Sequence, residues 1–219
     1  TCGGTLIRLS EGGYRVGVVD LTRGEMGTRG TAEDRAREAA RAADVMGLSL
    51  RENLSLPDAR LENAFSVRLQ LAALLREHRP HLVILPFWEG RHPDHVAAGR
   101  LGYDACYLSG LEKLELGGEP WRPKKILYPL IFSPERPTLV VDITPQLERK
   151  IEAIMCYESQ FGREARALSE RFRAGNLEEM VRAEALHSGR LIGVRYGEPF
   201  FQKEPLAVED PMKLPGRSI

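Results

Sequence analysis

The sequence lacks the features that would suit it to a membrane or to nucleic acid. No apolar run in it approaches the roughly 20 residues that a membrane-spanning helix needs. No charge of one sign is in excess, because 31 lysines and arginines are balanced by 31 aspartates and glutamates. Nucleic-acid-binding proteins are usually basic. We therefore expect neither a membrane nor a nucleic acid as partner, although the charge balance still allows a local basic pocket.

Cysteine is also scarce, with only Cys2, Cys106 and Cys156 in the chain. The count is odd, the spacing is wide and no Cys-x-x-Cys occurs, so a disulfide framework is not indicated. We predict three free thiols that act as small buried hydrophobic residues. Because thiols stay reduced in the cytoplasm, the expected localisation is cytoplasmic.

The rest of the composition is that of a globular α/β protein. A chain of 219 residues with 42% hydrophobic and 28% charged residues can bury one sizeable core. Runs rich in β-branched residues alternate with longer helical segments, which is typical of a mostly parallel sheet flanked by helices. Strands are predicted at 14–21, 54–56, 81–86, 125–132 and 138–143, and helices at 6–11, 32–46, 65–79, 95–108, 144–157 and 177–187.

The densest cluster of chemically capable side chains is 91–95 (RHPDH), directly after the predicted strand 81–86. Neutral imidazole binds zinc well, and it also titrates near neutral pH, so His92 and His95 suit metal binding or proton transfer. Asp94 can orient a ring by accepting its second N–H, or it can cap the helix that follows. Ligands bind beyond the carboxyl ends of parallel strands, and this placement favours a functional site over a solvated loop.

A second polar loop, 22–31, follows the first of these strands and contains three glycines. Glycine lets a backbone approach a ligand closely, and the planar guanidinium of arginine suits carboxylates and oxyanions. Arg35 then lies in the first turn of the next helix, where the helix dipole disfavours a cation. That mismatch hints at an anionic partner, and a solvated surface arginine explains it equally well. The candidate ligand-binding side chains of the loop are Arg23, Glu25, Thr28 and Arg29.

Other polar residues have simpler interpretations. Thr31 with Asp34 three residues later predicts a capping box at the start of the helix 32–46. His78 and His81 flank a proline at a turn, and we predict structural roles for both. His187 lies late in a predicted helix, where a cation is favourable, and structural and substrate-binding roles are equally supported.

Taken together, several segments resemble the LmbE-like (PIG-L) deacetylases. Residues 2–6 (CGGTL) resemble the Gly-Gly-Thr-Leu that follows the first metal motif of this family. The resemblance covers nearly the whole chain, and its closest subgroup is the deacetylases of bacillithiol biosynthesis, which act on N-acetylglucosaminyl malate. The further matching segments are 22–31 with Arg35, 92–95 (HPDH), 158–161 (ESQF) and 193–200 (GVRYGEPF).

This resemblance implies a Rossmann-like, mostly parallel sheet in one domain over residues 1–219, with a divalent metal, usually zinc, at the strand ends. It implies that His95 is a metal ligand and that His92, oriented by Asp94, is a general acid or oxyanion stabiliser. Arg35 is implied as a substrate-binding residue. A small-molecule N-acetyl sugar is the implied substrate, and a homo-oligomer, for which a hexamer is one candidate, is the implied assembly.

The resemblance also predicts a His-Pro-Asp-Asp motif immediately before Thr1, carrying two further metal ligands and the general base. That motif is absent from the chain, which begins without an initiator methionine or a signal peptide. Catalytic zinc normally has three protein ligands. We therefore expect this chain alone to lack the family's first strand and first metal motif, and to be inactive.

The expected reaction of the complete enzyme is zinc-assisted hydrolysis of the N-acetyl group of an N-acetylglucosamine conjugate, with release of acetate. Zinc and a protonated His92 would stabilise the oxyanion. Two alternatives stay open. One keeps the chemistry and changes the substrate to another N-acetyl sugar, such as a chitooligosaccharide; the other is a sugar-binding relative or fragment without a metal site.

Overall fold

The computed structural model describes residues 1–130, 135–162 and 177–213. The end of the predicted strand 125–132 lies outside these residues. Short 3-10 turns lie at Thr144–Gln146 and Pro211–Lys213. The helices are α1 (Gly3–Glu11), α2 (Ala32–Met46), α3 (Phe65–His78), α4 (Pro93–Leu108), α5 (Leu147–Met155), α6 (Glu158–Phe161) and α7 (Leu177–Arg190), and the strands are β1 (Gly17–Thr22), β2 (Leu50–Leu56), β3 (Leu82–Ile84), β4 (Lys125–Pro129), β5 (Leu139–Asp142) and β6 (Gly197–Phe201).

The chain forms two compact units, neither of which is one continuous stretch. The first, called unit 1, consists of the described parts of Thr1–Asp58, Val140–Pro199 and Ala207–Ile219. The second, called unit 2, consists of the described parts of Ala59–Leu139 and Phe200–Leu206. The assignment of residues 1–219 to one domain stays a prediction.

Two sheets organise the strands. In unit 1, β1 pairs in parallel with β2, with Asp20 opposite Asn53. The other sheet has the strand order β3-β4-β6-β5. In it β3 is parallel to β4, whereas β6 is antiparallel to β4, with Tyr128 opposite Phe201. The mixed α/β class is therefore confirmed, but the finer prediction of a Rossmann-like, mostly parallel sheet is not, since β6 was not predicted as a strand and runs antiparallel to its neighbour β4.

Helix α2 shows how local chemistry fixes an element. The Thr31 hydroxyl accepts a hydrogen bond from Asp34 N at 3.1 Å, and the Asp34 carboxylate accepts one from Thr31 N at 2.9 Å. This is the predicted capping box. The helix ends at Met46 and is followed by the C-cap Gly47, whose φ of 67° lies in the left-handed region that glycine adopts at little cost. Both predicted ends of this helix, Ala32 and Met46, are confirmed.

The core of unit 1 includes a buried ion pair beneath the start of α1. The apolar part of this core is formed by Ile143, Leu147, Ile151 and Ala185. Glu198 on β6 is 2% exposed and Lys150 on α5 is 6% exposed. Their charged atoms lie 2.8 Å apart. The same carboxylate accepts hydrogen bonds from Gly4 N at 2.8 Å, Thr5 N at 2.7 Å and the Thr5 hydroxyl at 2.6 Å, so it also caps the first turn of α1.

Unit 2 is held by a buried arginine and by close packing of α4. The guanidinium of Arg76 donates hydrogen bonds to five backbone carbonyls within residues 109–118. A Cβ atom on Gly99 of α4 would lie 2.4 Å from the carbonyl oxygen of Pro86. Helix α4 therefore packs directly against the backbone that follows β3, which is the segment leading to the candidate site.

The described residues include no helix long and apolar enough to cross a bilayer. All three cysteines are free, with Cys106 buried and the other two half-buried. Burial raises the pKa of the Cys106 thiol to about 12, so this thiol is protonated at neutral pH.

Candidate active site

In unit 2 the predicted site residues meet at the start of α4. His92 is the N-cap of this helix, and its Nδ1 accepts a hydrogen bond from Asp94 N at 3.2 Å. Pro93 occupies the first helical position, where its missing N–H costs nothing. The prediction that Asp94 caps this helix is therefore wrong. Because Nδ1 accepts, a neutral His92 carries its proton on Nε2, which leaves that N–H free to act as a donor.

The Asp94 carboxylate makes contacts of a different kind. Asp94 is 5% exposed. Its Oδ2 accepts a hydrogen bond from Ala59 N at 2.8 Å, and its Oδ1 accepts a long one from Leu61 N at 3.4 Å. These bonds fasten the chain after β2 to the first turn of α4. Sequence reasoning missed this role because the partners lie far away along the chain.

The two imidazole rings of the cluster stack on each other. The ring centroids of His92 and His95 are 4.6 Å apart, with an interplanar angle of 22°. His95 is exposed, yet neighbouring residues withdraw part of its ring from water, and this burial lowers the pKa of His95. The adjacent His92 adds to the lowering, while the Asp94 carboxylate opposes it. The neutral ring favoured by these effects is the form that can bind a metal.

The donor set of this cluster is incomplete for catalytic zinc. Within residues 1–130, 135–162 and 177–213, no three His, Cys, Asp or Glu side chains converge to hold a metal ion. His92 and His95 offer two imidazoles, whereas catalytic zinc normally has three protein ligands. The described residues alone do not fit a zinc site.

In unit 1 a cavity of about 320 Å³ opens beside the ends of β1 and β2. Of the five predicted substrate-binding residues, Arg23 and Arg35 line it. Sequence reasoning missed the other polar lining residues, although the charged Asp20 within the otherwise apolar start of β1 was a signal. The polar lining further includes Asp20, Arg51, Asn53, Ser55 and Tyr157.

Arg51, which lines this cavity, donates four hydrogen bonds. Its guanidinium binds both carboxylate oxygens of Asp20, at 2.7 and 3.1 Å. It also donates to the Tyr157 hydroxyl at 2.8 Å and to the Ala39 carbonyl at 3.0 Å. Burial opposes the charged form, but the bonds to Asp20 outweigh it and raise the pKa of Arg51. The positive charge of Arg51 is therefore neutralised within the protein.

Arg35 is less fully paired than Arg51. Among the described residues its ion-pair partner is Glu38, whose carboxylate oxygen lies 3.9 Å from the guanidinium. That carboxylate is already held by Ser159, whose N and Oγ donate to it at 2.6 and 2.9 Å. The Arg35 guanidinium lies over the Tyr157 ring at 5.9 Å. It also packs on Gly24, where a Cβ would lie 3.4 Å from Nε and where φ is 68°. Much of its charge remains available to a ligand.

The structure does not bring the other three predicted residues of the loop to the cavity lining. Glu25 accepts a hydrogen bond from Asp58 N at 3.0 Å, and this bond lowers the pKa of Glu25. The carbonyl of Arg29 accepts one from the Gln160 side chain at 2.8 Å. Thr28 is exposed. Glu25 and Arg29 thus shape the loop, and a substrate-binding role for these three residues stays a prediction.

Comparisons with known proteins agree with one another. Residues 1–106 match the family model described as PIG-L, GlcNAc-PI de-N-acetylase. The diacetylchitobiose deacetylase of Thermococcus kodakarensis is 31% identical over 212 residues, which cover 90% of this chain and 75% of that protein.

Two solved structures extend the similarity to the fold. The conserved protein TT1542 from Thermus thermophilus is 38% identical with a TM-score of 0.85, and the match covers 98% of this chain and 92% of that one. The N,N'-diacetylchitobiose deacetylase from Pyrococcus horikoshii, complexed with its inhibitor MPG, is 30% identical with a TM-score of 0.78. That match covers 91% of this chain and 77% of the other.

Proposed function

The chain belongs to the PIG-L family of de-N-acetylases, and from this membership we propose that it hydrolyses the N-acetyl group of an N-acetylglucosamine conjugate. The observation that carries the proposal is the 31% identity, over 90% of this chain, to a diacetylchitobiose deacetylase. The stacked pair of His92 and His95 at the start of α4 supplies side chains suited to the reaction.

His92 is the proposed electrophilic and proton-donating group. Its Nδ1 is occupied by the backbone of α4, so its Nε2 N–H is the part of the ring that can face an acetamide. In amide hydrolysis negative charge develops on the acetyl oxygen, and a preorganised N–H donor stabilises it. Proton transfer to the departing amine requires the cationic ring, in which Nδ1 also carries a proton and no longer accepts from Asp94 N. Asp94 acts indirectly, because its backbone N–H holds Nδ1 of His92 in the first turn of α4.

His95 is the proposed metal ligand and Zn²⁺ the proposed ion. The lowered pKa of His95 supports this role, because only the neutral ring coordinates a metal. His95 would be one ligand of such an ion, with further ligands that the described residues do not supply, and a bound zinc would lower the pKa of a water molecule.

The proposed substrate is an acidic conjugate, with N-acetylglucosaminyl malate as the specific candidate. Within unit 1 taken by itself, Arg35 supports an anionic ligand, because its carboxylate partner among the described residues is 3.9 Å away, whereas Asp20 neutralises Arg51. Arginine is well suited to hold a carboxylate in two-point contact. Diacetylchitobiose is the second candidate, favoured by the names of the relatives at about 30% identity.

Acetate release tests both candidates. The purified protein that contains this chain is given N-acetylglucosaminyl malate, diacetylchitobiose and N-acetylglucosamine, each with and without added Zn²⁺. We expect the malate conjugate to have the highest kcat/KM, and Arg35→Met to lower that value by about 10- to 100-fold. If Arg35→Met lowered kcat/KM for diacetylchitobiose by the same factor, the proposal of an acidic substrate would be refuted. If no acetate were released from any of these substrates, the proposed deacetylase activity would be refuted.

Measurement of bound zinc distinguishes the roles proposed for the two histidines. His92→Asn keeps an N-cap for α4 while it removes the imidazole, and we expect kcat to fall about 100-fold or more with bound zinc unchanged. His95→Ala should instead lose the metal. Equal loss of zinc in both variants would contradict the assigned roles.

A further inference from the structure

We propose that Lys203 is a positioning residue, whose ammonium group fastens the loop that carries His92 and leads to His95. This loop, called the β3–α4 loop, comprises residues 85–92. The inference rests on the proposed function only where it predicts an effect on acetate release. The fastening itself follows from contacts within unit 2.

The ammonium of Lys203 lies among three aromatic rings. Its Nζ is 4.1 Å from the ring centroid of Trp88, 4.4 Å from that of Tyr103 and 5.2 Å from that of Tyr128. A cation within about 6 Å of a ring centroid is attracted by the negative face of the ring. Three such contacts on one ammonium join the β3–α4 loop to α4 and to β4.

The loop side of this arrangement is a stacked pair of aromatic residues. Phe87 and Trp88 have ring centroids 4.1 Å apart at an angle of 29°. Trp88 also presents an edge-to-face contact to Tyr128 at 4.8 Å and to Phe201 at 5.6 Å. One face of the Trp88 indole is thus covered by Phe87, and Lys203 covers the ring as well. Trp88 precedes His92 by only four positions, so its placement constrains the residues that cap α4.

The charge of Lys203 is directed to these rings. Among the contacts of the described residues, its partners are aromatic faces, and none is a carboxylate in an ion pair. A neutral side chain of the same length would keep the packing of the stem but lose the attraction to the rings. The consequence is a looser β3–α4 loop, and small displacements of catalytic groups lower turnover strongly.

The matched variants are Lys203→Met, which keeps the unbranched stem, and Lys203→Arg, which keeps a cation able to stack on aromatic faces. Lys113→Met, at another exposed lysine of unit 2, is the control. Hydrogen exchange followed by mass spectrometry reports on peptides that contain residues 85–92. We expect exchange there to be roughly fivefold faster in Lys203→Met and unchanged in Lys203→Arg and Lys113→Met.

Kinetics of acetate release give the second readout. We expect Lys203→Met to lower kcat about 3- to 10-fold with little change in KM, and Lys203→Arg to restore it. Unchanged exchange in Lys203→Met overturns the fastening role, whatever the activity. Faster exchange with unchanged kcat overturns the positioning role. If the unaltered protein releases no acetate, the proposed function fails, while the exchange result still decides whether Lys203 fastens the loop.

Discussion

The buried pair of Glu198 and Lys150 gives the sharpest test of the energetics of unit 1. The perturbation is Glu198→Gln, which keeps the shape of the side chain and removes its charge. Lys150 would then be left 6% exposed without its anionic partner. The amide NH₂ of glutamine would also face at least one of the donors that now bind the carboxylate, namely Gly4 N, Thr5 N and the Thr5 hydroxyl.

Removal of one partner from a buried ion pair costs about 3–5 kcal/mol, because the other charge stays buried and unpaired. We expect this loss for Glu198→Gln. Lys150→Met should cost less, about 1–3 kcal/mol, since the first turn of α1 still supplies three donors to the carboxylate. The double variant buries no unpaired charge, and it should be more stable than the sum of the two single losses by about 2 kcal/mol.

Urea unfolding measures these differences through the midpoint at constant m-value. For a chain of this size a loss of 1 kcal/mol lowers Tm by roughly 2–4 °C, so Glu198→Gln should lower Tm by about 6–20 °C. Amide exchange at Gly4 and Thr5 should quicken in the same variant. A loss below about 1 kcal/mol, or strict additivity in the double variant, would show that this pair does not anchor α1.

Three further substitutions test other features of the fold. Arg76→Lys should lower the free energy of unfolding, measured in urea, by about 2–4 kcal/mol, because an ammonium group cannot bind all five carbonyls that the guanidinium reaches. The control Arg60→Lys, at an exposed site, should change it by almost nothing. Tyr128→Phe should leave stability unchanged or raise it by up to about 1 kcal/mol, since the Tyr128 hydroxyl is buried without a hydrogen-bond partner among the described residues; a clear loss of stability would reveal a partner for it. Gly99→Ala should cost about 1–3 kcal/mol, because its Cβ would lie 2.4 Å from the Pro86 carbonyl oxygen, and a fully stable variant would refute the close packing of α4.

Elements that are defined by neighbouring residues were predicted better than elements that depend on contacts with distant parts of the chain. Helix α2 was predicted with both its ends because Thr31, Asp34 and Gly47 act within a few residues of the positions that they define. The HPDH cluster was found for the same reason, as its members are contiguous. Strand β6 was missed because it contains Gly197 and Pro199 and depends on pairing with β4.

Roles set by long-range contacts could not be predicted. Arg51 forms its pair with Asp20 across neighbouring strands and reaches the Tyr157 hydroxyl, which lies 106 positions away. The Asp94 carboxylate likewise binds backbone 33 and 35 positions earlier in the chain. A single sequence indicates which residue types can do chemistry, but these partners are known only once the chain is folded.

The interrupted course of the chain through the two units limits how this protein can be divided. A fragment of residues 59–139 carries the candidate histidines but omits Phe200–Leu206, which complete unit 2. Tyr128 and Pro129 would then lose their strand partners Phe201 and Phe200, and Trp88 would lose the cation above its ring. An unpaired strand edge beside exposed aromatic rings favours aggregation. Excision of the histidine-bearing part by simple truncation is therefore expected to give insoluble material, and a circularly permuted chain is the more promising route to it.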